Sequence, residues 1–115
     1  MDKELVAVTI TTTLDDKQKL EQICRVLVEK RLVACAQMSG PIKSIYWWNG
    51  SLEETEEWMG TMKTTSDLYD EVEKEIVILH PYEVPEIVST AISFILPAYR
   101  QWIMAETTGT VTDTH

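Results

Sequence analysis

The stretch that decides the fold is Ile42-Lys43-Ser44-Ile45-Tyr46-Trp47-Trp48-Asn49-Gly50. Asn49-Gly50 is the strongest short-range signal for a two-residue type I′ turn between antiparallel strands. The residues before this turn are rich in aromatic and β-branched side chains, which favour a strand. A returning strand is predicted from Ser51 to about Thr64. The sequence therefore predicts a β-hairpin at the middle of the chain.

Gly40-Pro41 interrupts the strand that leads into this turn, and the pair has two interpretations. It can be a separate turn, or it can be a kink within one strand that runs from Val33 to Trp48. We favour the kink, because a Gly-Pro pair between two β-rich runs can mark a bulge or bend. The returning strand also roughly matches the combined length of the two runs.

A hairpin of this length must project beyond its own domain. An arm of about 16 residues reaches roughly 50 Å at ~3.3 Å per residue, whereas a domain of this size is roughly 30 Å across. The arm carries large aromatic side chains that are costly to leave in water, namely Tyr46, Trp47, Trp48 and Trp58. We therefore expect the tip to pack on another subunit.

A strand and a helix are predicted before the hairpin. Leu5 to Thr13 is rich in β-branched residues and is apolar on both faces, which predicts a strand covered on both sides. Asp15-Asp16 is a candidate cap for a helix that ends near residues 30–32. The apolar residues of this helix form a single stripe, made of Leu20, Ile23, Cys24, Leu27, Val28 and Leu32.

A helix, a strand and a short helix are predicted after the hairpin. Residues 65–67 are predicted to cap a helix that Pro81 ends. A strand follows over residues 87–94, and Pro97 is predicted to open the last helix. Residues 1–105 are thus predicted to form a single domain, and residues 106–115, which lack periodicity, a disordered tail.

The predicted element order is βαββαβ with a terminal helix. Right-handed crossovers place both long helices on one face of the sheet. The other face is then left without a cover from its own chain, although the first strand is apolar on both sides. We therefore expect partner subunits to cover it.

Composition and charge exclude several partners. The chain has 115 residues, a formal net charge of −9 and only ten Lys and Arg residues, which form no cluster. Nucleic acid and anionic membranes are therefore poor candidate partners. No apolar run approaches the ~20 residues of a membrane span, and the first residues lack a secretory signal pattern. We expect a cytoplasmic protein in which Cys24 and Cys35 are small apolar residues, not a disulfide framework.

Five segments in this order carry a resemblance to a known family, and they are 32–36, 44–50, 62–65, 80–86 and 99–103. Together they resemble the CutA divalent-cation tolerance family over roughly residues 4 to 104. The resemblance implies an α+β, ferredoxin-like fold with an antiparallel sheet, similar to the PII signalling proteins. It also implies a homotrimer in which long hairpins extend the sheets of neighbouring subunits, and a role in tolerance of copper and other divalent metals.

Metal ligands are the first candidate functional residues. His80, Glu83 and Cys35 are predicted as ligands for copper or another divalent cation, with Glu86 nearby, although no cofactor is required. The alternative for His80 is a residue at a helix end whose ring bonds a backbone carbonyl or a carboxylate. Some family members carry a cysteine and a second histidine where this chain has Thr12 and Leu79. The resemblance therefore implies weak metal binding here.

A ligand cleft between subunits is the second candidate site. Trp48, Lys63, Tyr82 and Glu86 lie in the segments that carry the resemblance, and an aromatic wall with one cation and one carboxylate suits a small molecule. The alternative is structural, with the aromatic residues anchoring the trimer and Lys63 and Glu86 forming an interface ion pair. The glycines are too widely separated for a phosphate loop.

Catalysis is the least favoured function. Cys35 and His80 can meet only if the fold brings them together, and apolar neighbours of Cys35 make an inert thiol more plausible than a nucleophile. Glu83 and Glu86 can form an acid–base pair, but such pairs more often cap helices or face water. The glutamates of residues 53–57 are interpreted as a solvated edge that discourages aggregation. We therefore predict no catalytic residues and no enzyme, but a metal-tolerance protein or a PII-like ligand sensor.

Overall fold

The structure of the protein, a computed structural model, describes residues 5–107. Within this range the elements are β1 (Ala7–Leu14), α1 (Lys17–Glu29), β2 (Cys35–Trp48), β3 (Ser51–Thr65), a 3₁₀ turn (Ser66–Leu68), α2 (Tyr69–Leu79), β4 (Ile87–Ala91) and α3 (Pro97–Glu106). Residues 108–115 of the predicted tail lie outside the described residues. No helix in the described range is long and apolar enough to cross a membrane.

The four strands form one antiparallel sheet in the order β2-β3-β1-β4. In register, Ile10 lies between Met62 of β3 and Ser89 of β4. Both crossovers contain a helix, so the arrangement is the ferredoxin-like βαββαβ fold that was predicted, with α3 added at the end.

The hairpin formed by β2 and β3 is the longest feature of the chain. Asn49 and Gly50 both have positive φ angles, 52° and 80°, as a type I′ turn requires. The described residues extend 49 Å along their longest axis and only 25 Å along the shortest. The projecting hairpin predicted from the sequence is therefore confirmed.

Gly40 lies at a bulge within β2, where the register with β3 shifts between Ser39 and Ile42. The strand continues through this point, so the predicted kink is confirmed. Gly40 has φ of +139°, and a Cβ atom there would lie 2.7 Å from Cδ1 of Trp58 and 3.1 Å from the backbone oxygen of Glu57. Only glycine fits this position without a shift of the neighbouring strand.

The main core lies between the sheet and the helices α1 and α2. Its buried members include the predicted stripe of α1, joined by one face of β1 and β3 and by α2, namely Val8, Ile10, Leu14, Leu20, Ile23, Cys24, Leu27, Leu32, Val33, Met62, Val72 and Ile76. Asp16 caps α1 as predicted, because its carboxylate accepts a hydrogen bond from the Lys19 backbone N–H at 3.0 Å. Val28, predicted in the stripe, is exposed instead.

The boundaries of some elements differ from their predictions. Helix α1 ends at Glu29, because Arg31 adopts a positive φ of 59° that no α-helix continues through. Strand β4 ends at Ala91 and not at Phe94, since its partner β1 begins at Ala7 and supplies no further strand for pairing.

The second face of the sheet is partly covered by the chain itself, which the sequence did not predict. Cys35 lies on this face, and its Sγ atom is 3.6 Å from the Tyr99 hydroxyl of α3. Ile103 of α3 is fully buried outside the main core cluster. Helix α3 thus covers part of the face, while Val88 on β4 stays exposed.

Thr12 provides a stability test of the core. Its hydroxyl is buried and has no hydrogen-bond partner within the described residues. Because a buried unsatisfied polar group costs about 1–3 kcal/mol, Thr12→Val is expected to raise the free energy of unfolding by about 1 kcal/mol. Denaturant titration at fixed protein concentration measures this change. Thr12→Ser keeps the hydroxyl and loses the methyl group, so it should destabilise, and a gain in that variant would contradict the explanation.

Cys24 provides a pH test. Burial raises the pKa of its thiol to about 11, and nearby Glu21 adds to the effect. The unfolded chain therefore releases this proton at lower pH than the folded chain does, and stability falls as the pH rises from about 9 to 11. The loss is expected to reach about 2–3 kcal/mol at ~1.4 kcal/mol per pH unit. Cys24→Ala, compared by denaturation at pH 8.5 and pH 10.5, should show a smaller difference than the unmodified chain.

Candidate functional site

An open groove of about 900 Å³ lies between the hairpin, the end of β1 and the loop of residues 80–86. Pro81 and Pro85 keep this loop out of helical conformation, and it folds back against β1. The groove is lined by Thr13, Asp15, Ser44, Ile45, Tyr46, Trp47, Trp48, Thr55, Glu57, Tyr82, Glu83, Val84, Pro85 and Glu86.

His80 fastens the loop to β1. The ring is buried, with Nε2 2.8 Å from the Thr13 carbonyl oxygen, and Nδ1 accepts a hydrogen bond from the Tyr82 backbone N–H at 3.1 Å. Because an amide N–H only donates and a carbonyl only accepts, the neutral ring carries its proton on Nε2. The His80 and Tyr82 rings also meet edge to face, with centroids 4.6 Å apart. These contacts match the alternative given for His80, a residue at a helix end whose ring bonds a backbone carbonyl. They leave neither ring nitrogen free to bind a metal ion.

Glu57 is a buried carboxylate in the groove. Its two oxygens accept hydrogen bonds from the Ser44 and Tyr82 hydroxyls, each at 2.7 Å. Burial raises the pKa of Tyr82, and the hydrogen bond to Glu57 adds to this, so the phenol stays a neutral donor. None of the ion pairs in the described part of the chain includes Glu57.

The burial of Glu57 corrects the interpretation of residues 53–57 as a solvated edge, since Glu57 is only 5% exposed. The strand pairing that the turn sets could have indicated that Glu57 lies on the same face as Ser44. Counting from Asn49-Gly50 places Ser44 opposite Thr55, two residues from Glu57 on the same face, and the structure shows this pairing. The partner Tyr82 comes from a distant loop, which no strand register can reveal.

Three of the four predicted cleft residues line the groove within one chain. Trp48, Tyr82 and Glu86 line it together, and the Thr13 hydroxyl donates to Glu86 Oε1 at 3.5 Å. Lys63 lies elsewhere in the same chain, where its Nζ atom donates to Gln37 Oε1 at 3.2 Å.

The predicted metal ligands are not brought together within one chain. Glu83 lines the groove, His80 is occupied by two backbone groups, and Cys35 faces Tyr99 across the sheet from the main core. Among residues 5–107, no group of three or more His, Cys, Asp or Glu side chains is arranged to hold a metal ion. Thr12 lies in the core.

The groove combines aromatic walls with negative charge. Its aromatic side chains are Tyr46, Trp48 and Tyr82, and its carboxylates are Asp15, Glu57, Glu83 and Glu86. Such a surface can bind a small molecule by stacking and by charge-assisted hydrogen bonds. The contacts of Cys35 and His80 are with other groups, so these two residues do not form a nucleophile–base pair in this arrangement.

The chain is similar to several characterised proteins. Residues 8–106 match the family model of the CutA1 divalent ion tolerance protein. The divalent-cation tolerance protein CutA of Pyrococcus horikoshii is 34% identical over 100 residues, which cover 87% of this chain and 97% of that protein. The crystal structure of CutA from Xylella fastidiosa matches with a TM-score of 0.85 at 35% identity, covering 88% of this chain and 97% of that one.

A further solved structure is that of the periplasmic divalent cation tolerance protein CutA from Archaeoglobus fulgidus. It matches with a TM-score of 0.85 at 33% identity and covers 88% of this chain and 98% of its own. The likeness therefore extends over nearly the whole described range and includes both the hairpin and the groove loop.

Proposed function

Because the chain belongs to the CutA1 divalent ion tolerance family, we propose that it takes part in the cellular response to divalent metal ions, with copper as the first candidate. The observation that carries the proposal is the match over residues 8–106. Relatives named for divalent-cation tolerance support it. The proposed location is the cytoplasm.

The proposed contact with metal is weak or indirect. No three-donor cluster exists among the described residues, so tight chelation by one chain has no support there. A net charge of −9 attracts cations diffusely. Ligands shared between subunits are the remaining way to build a site.

The test combines growth and calorimetry. Cells that lack this chain are expected to grow poorly at raised Cu²⁺ or Zn²⁺ concentrations, and the intact gene should restore growth. Titration of the purified protein with the same ions should show only weak binding. Unchanged metal sensitivity after loss of the gene contradicts a role in tolerance, and tight binding by the intact protein contradicts the weak-contact proposal.

A homotrimer is the proposed working form. The hairpin reaches far from its own core, and large apolar side chains remain exposed on it and on the chain after β4. These side chains include Ile45, Trp47, Leu52, Phe94 and Leu96. The outer strands β2 and β4 also leave their edges open to pairing. The hairpins of neighbouring subunits can cover both the exposed apolar side chains and the open strand edges.

Light scattering tests the assembly. The expected mass is three times that of the 13.2 kDa chain. A well-folded monomer at micromolar concentration would contradict the trimer.

A second candidate function is ligand sensing in the groove, as in PII-like proteins. The observation that favours it is that Trp48, Tyr82 and Glu86 all line one groove of about 900 Å³. A thermal-shift survey of metabolites tests it, with Trp48→Ala as the groove variant. Trp102→Ala is the matched control, because Trp102 is as exposed as Trp48 and lies outside the groove. A survey in which no compound shifts the melting temperature, or in which both variants behave alike, contradicts this function.

A further inference from the structure

Phe94 is the most exposed of the large apolar side chains in the described range, at 94%. It lies between β4 and α3 in the uncharged segment of residues 92–96. Backbone hydrogen bonds anchor this segment to Ala7 of β1 at one end and to the first turn of α3 at the other. A large aromatic side chain held outward in this way is costly to leave in water. We therefore expect another molecule to cover it.

Phe94 and the groove lie at opposite ends of β1. Thr13 of this strand lines the groove, whereas Ala7 anchors the segment that carries Phe94. The strand between these two residues spans roughly 20 Å at ~3.3 Å per residue. A contact between Phe94 and a groove must therefore join two chains. Contacts between two different surfaces of one protein can repeat head to tail around a ring, as in the homotrimer proposed above.

The groove offers apolar surface on two sides. Tyr46 and Trp48 share one face of the hairpin and are partly exposed, and Val84 on the facing loop is 67% exposed. An aromatic side chain contributes most to an interface when it fills a pocket from which water is excluded. The groove therefore suits the ring of Phe94 better than an open strand face does.

The charge around Phe94 also suits the groove. Asp15, Glu83 and Glu86 line the groove, so it repels other acidic surfaces. The chain has a net charge of −9, but residues 87–105 contain no Asp or Glu and only one charged residue, Arg100. A second copy of the chain can therefore place this region against the groove without repulsion between carboxylates.

We propose that Phe94 of the partner subunit packs into the groove, against Tyr46 and Val84. The partner subunit thereby supplies a wall that the groove of one chain lacks, and the site is complete only in the assembly. This inference rests on the homotrimer proposed above and names the two surfaces that meet in it.

Photo-cross-linking locates Phe94 in the intact assembly. Phe94 is replaced by p-benzoylphenylalanine in unlabelled chains, and these are assembled with isotope-labelled chains of unchanged sequence. Cross-links between subunits then differ in mass from those within one chain. Irradiation is expected to join position 94 to Tyr46, Val84 or adjacent groove residues of a labelled chain, and tandem mass spectrometry identifies the joined residues.

The exchange of subunits between labelled and unlabelled assemblies, followed by native mass spectrometry, measures the strength of the contact. Phe94→Ala is expected to speed this exchange at least about tenfold, because aromatic anchors dominate interface energies and their loss acts mainly on dissociation. Phe94→Leu keeps much of the apolar surface and should speed it less. Ile78→Ala is the matched control, because Ile78 is 69% exposed on α2 and lies outside the groove. Its exchange rate should change less than about twofold.

Several results overturn the proposal. Cross-links from position 94 only within its own chain, or only to Leu52 on the opposite face of the hairpin, each do so. Equal exchange rates for Phe94→Ala and Ile78→Ala also do so. If the assembly is a homotrimer and position 94 joins residues outside the groove, the homotrimer stands and this contact is wrong. If light scattering shows only a 13.2 kDa monomer, the homotrimer and the contact are both wrong.

Discussion

A chain that carries both Ser44→Ala and Tyr82→Phe is expected to lose about 3–5 kcal/mol of its free energy of unfolding, because a buried carboxylate is left without its donors. Glu57 is only 5% exposed, and these two hydroxyls are its hydrogen-bond partners in the described structure. Tyr82→Phe alone keeps one donor and should cost about 1–2 kcal/mol. Denaturant titration at one fixed protein concentration measures the loss, since assembly also affects stability.

The control repeats both substitutions in a chain with Glu57→Met. Methionine has a similar length and needs no hydrogen bonds, so removal of the hydroxyls should then cost less than about 1 kcal/mol. A loss of the same size in both backgrounds would mean that the two hydroxyls stabilise the chain through some other contact. Comparison of the two backgrounds therefore isolates the contribution of the hydrogen bonds between Glu57 and the two hydroxyls.

His80→Ala is expected to lower the free energy of unfolding by about 3 kcal/mol, through a cavity and two unpaired backbone groups. The Thr13 carbonyl loses its donor and the Tyr82 N–H loses its acceptor. The loop of residues 80–86 should detach from β1, and the groove should open with it. Hydrogen exchange at the Tyr82 amide, measured beside the melting temperature, reports this detachment.

Two half-variants separate the bonds made by His80. Asparagine can replace the acceptor near Nδ1, and glutamine can replace the donor near Nε2, so His80→Asn and His80→Gln should each lose about half as much stability. If both are as unstable as His80→Ala, the ring acts through packing alone. Titration of the same variants with Cu²⁺ tests the predicted metal role of His80, and metal binding that disappears in all three would favour that role.

The hairpin shows how far local sequence determines this fold. Asn49-Gly50 predicts the turn type, and the turn in combination with the length of its two strands predicts a projecting arm. These features depend on the conformational preferences of a few adjacent residues. The stripe of α1 and its Asp16 cap are local for the same reason, and both were predicted correctly except at Val28.

The cleft between subunits stays a prediction, and within one chain its residues are divided. Trp48, Tyr82 and Glu86 line the groove, whereas Lys63 bonds Gln37 elsewhere in the same chain. Glu57 was missed because its sequence neighbours are solvated glutamates. Glu57 and Glu56 point to opposite faces of the sheet, because the side chains of adjacent strand residues alternate between the two faces.

The sequence by itself determined the elements, their order, the hairpin and the sign of the net charge, because these follow from local preferences and composition. Only the tertiary structure decided that Glu57 is buried beneath Tyr82, that both nitrogens of His80 are engaged, and that Lys63 stays outside the groove. The contacts of Glu57 with Tyr82, of His80 with Thr13 and of Lys63 with Gln37 join residues separated by more than 20 positions, whereas the contact of His80 with Tyr82 is local. Such distant residues come into contact because the loop and the strands pack against one another. The conformational preferences of neighbouring residues do not bring them together.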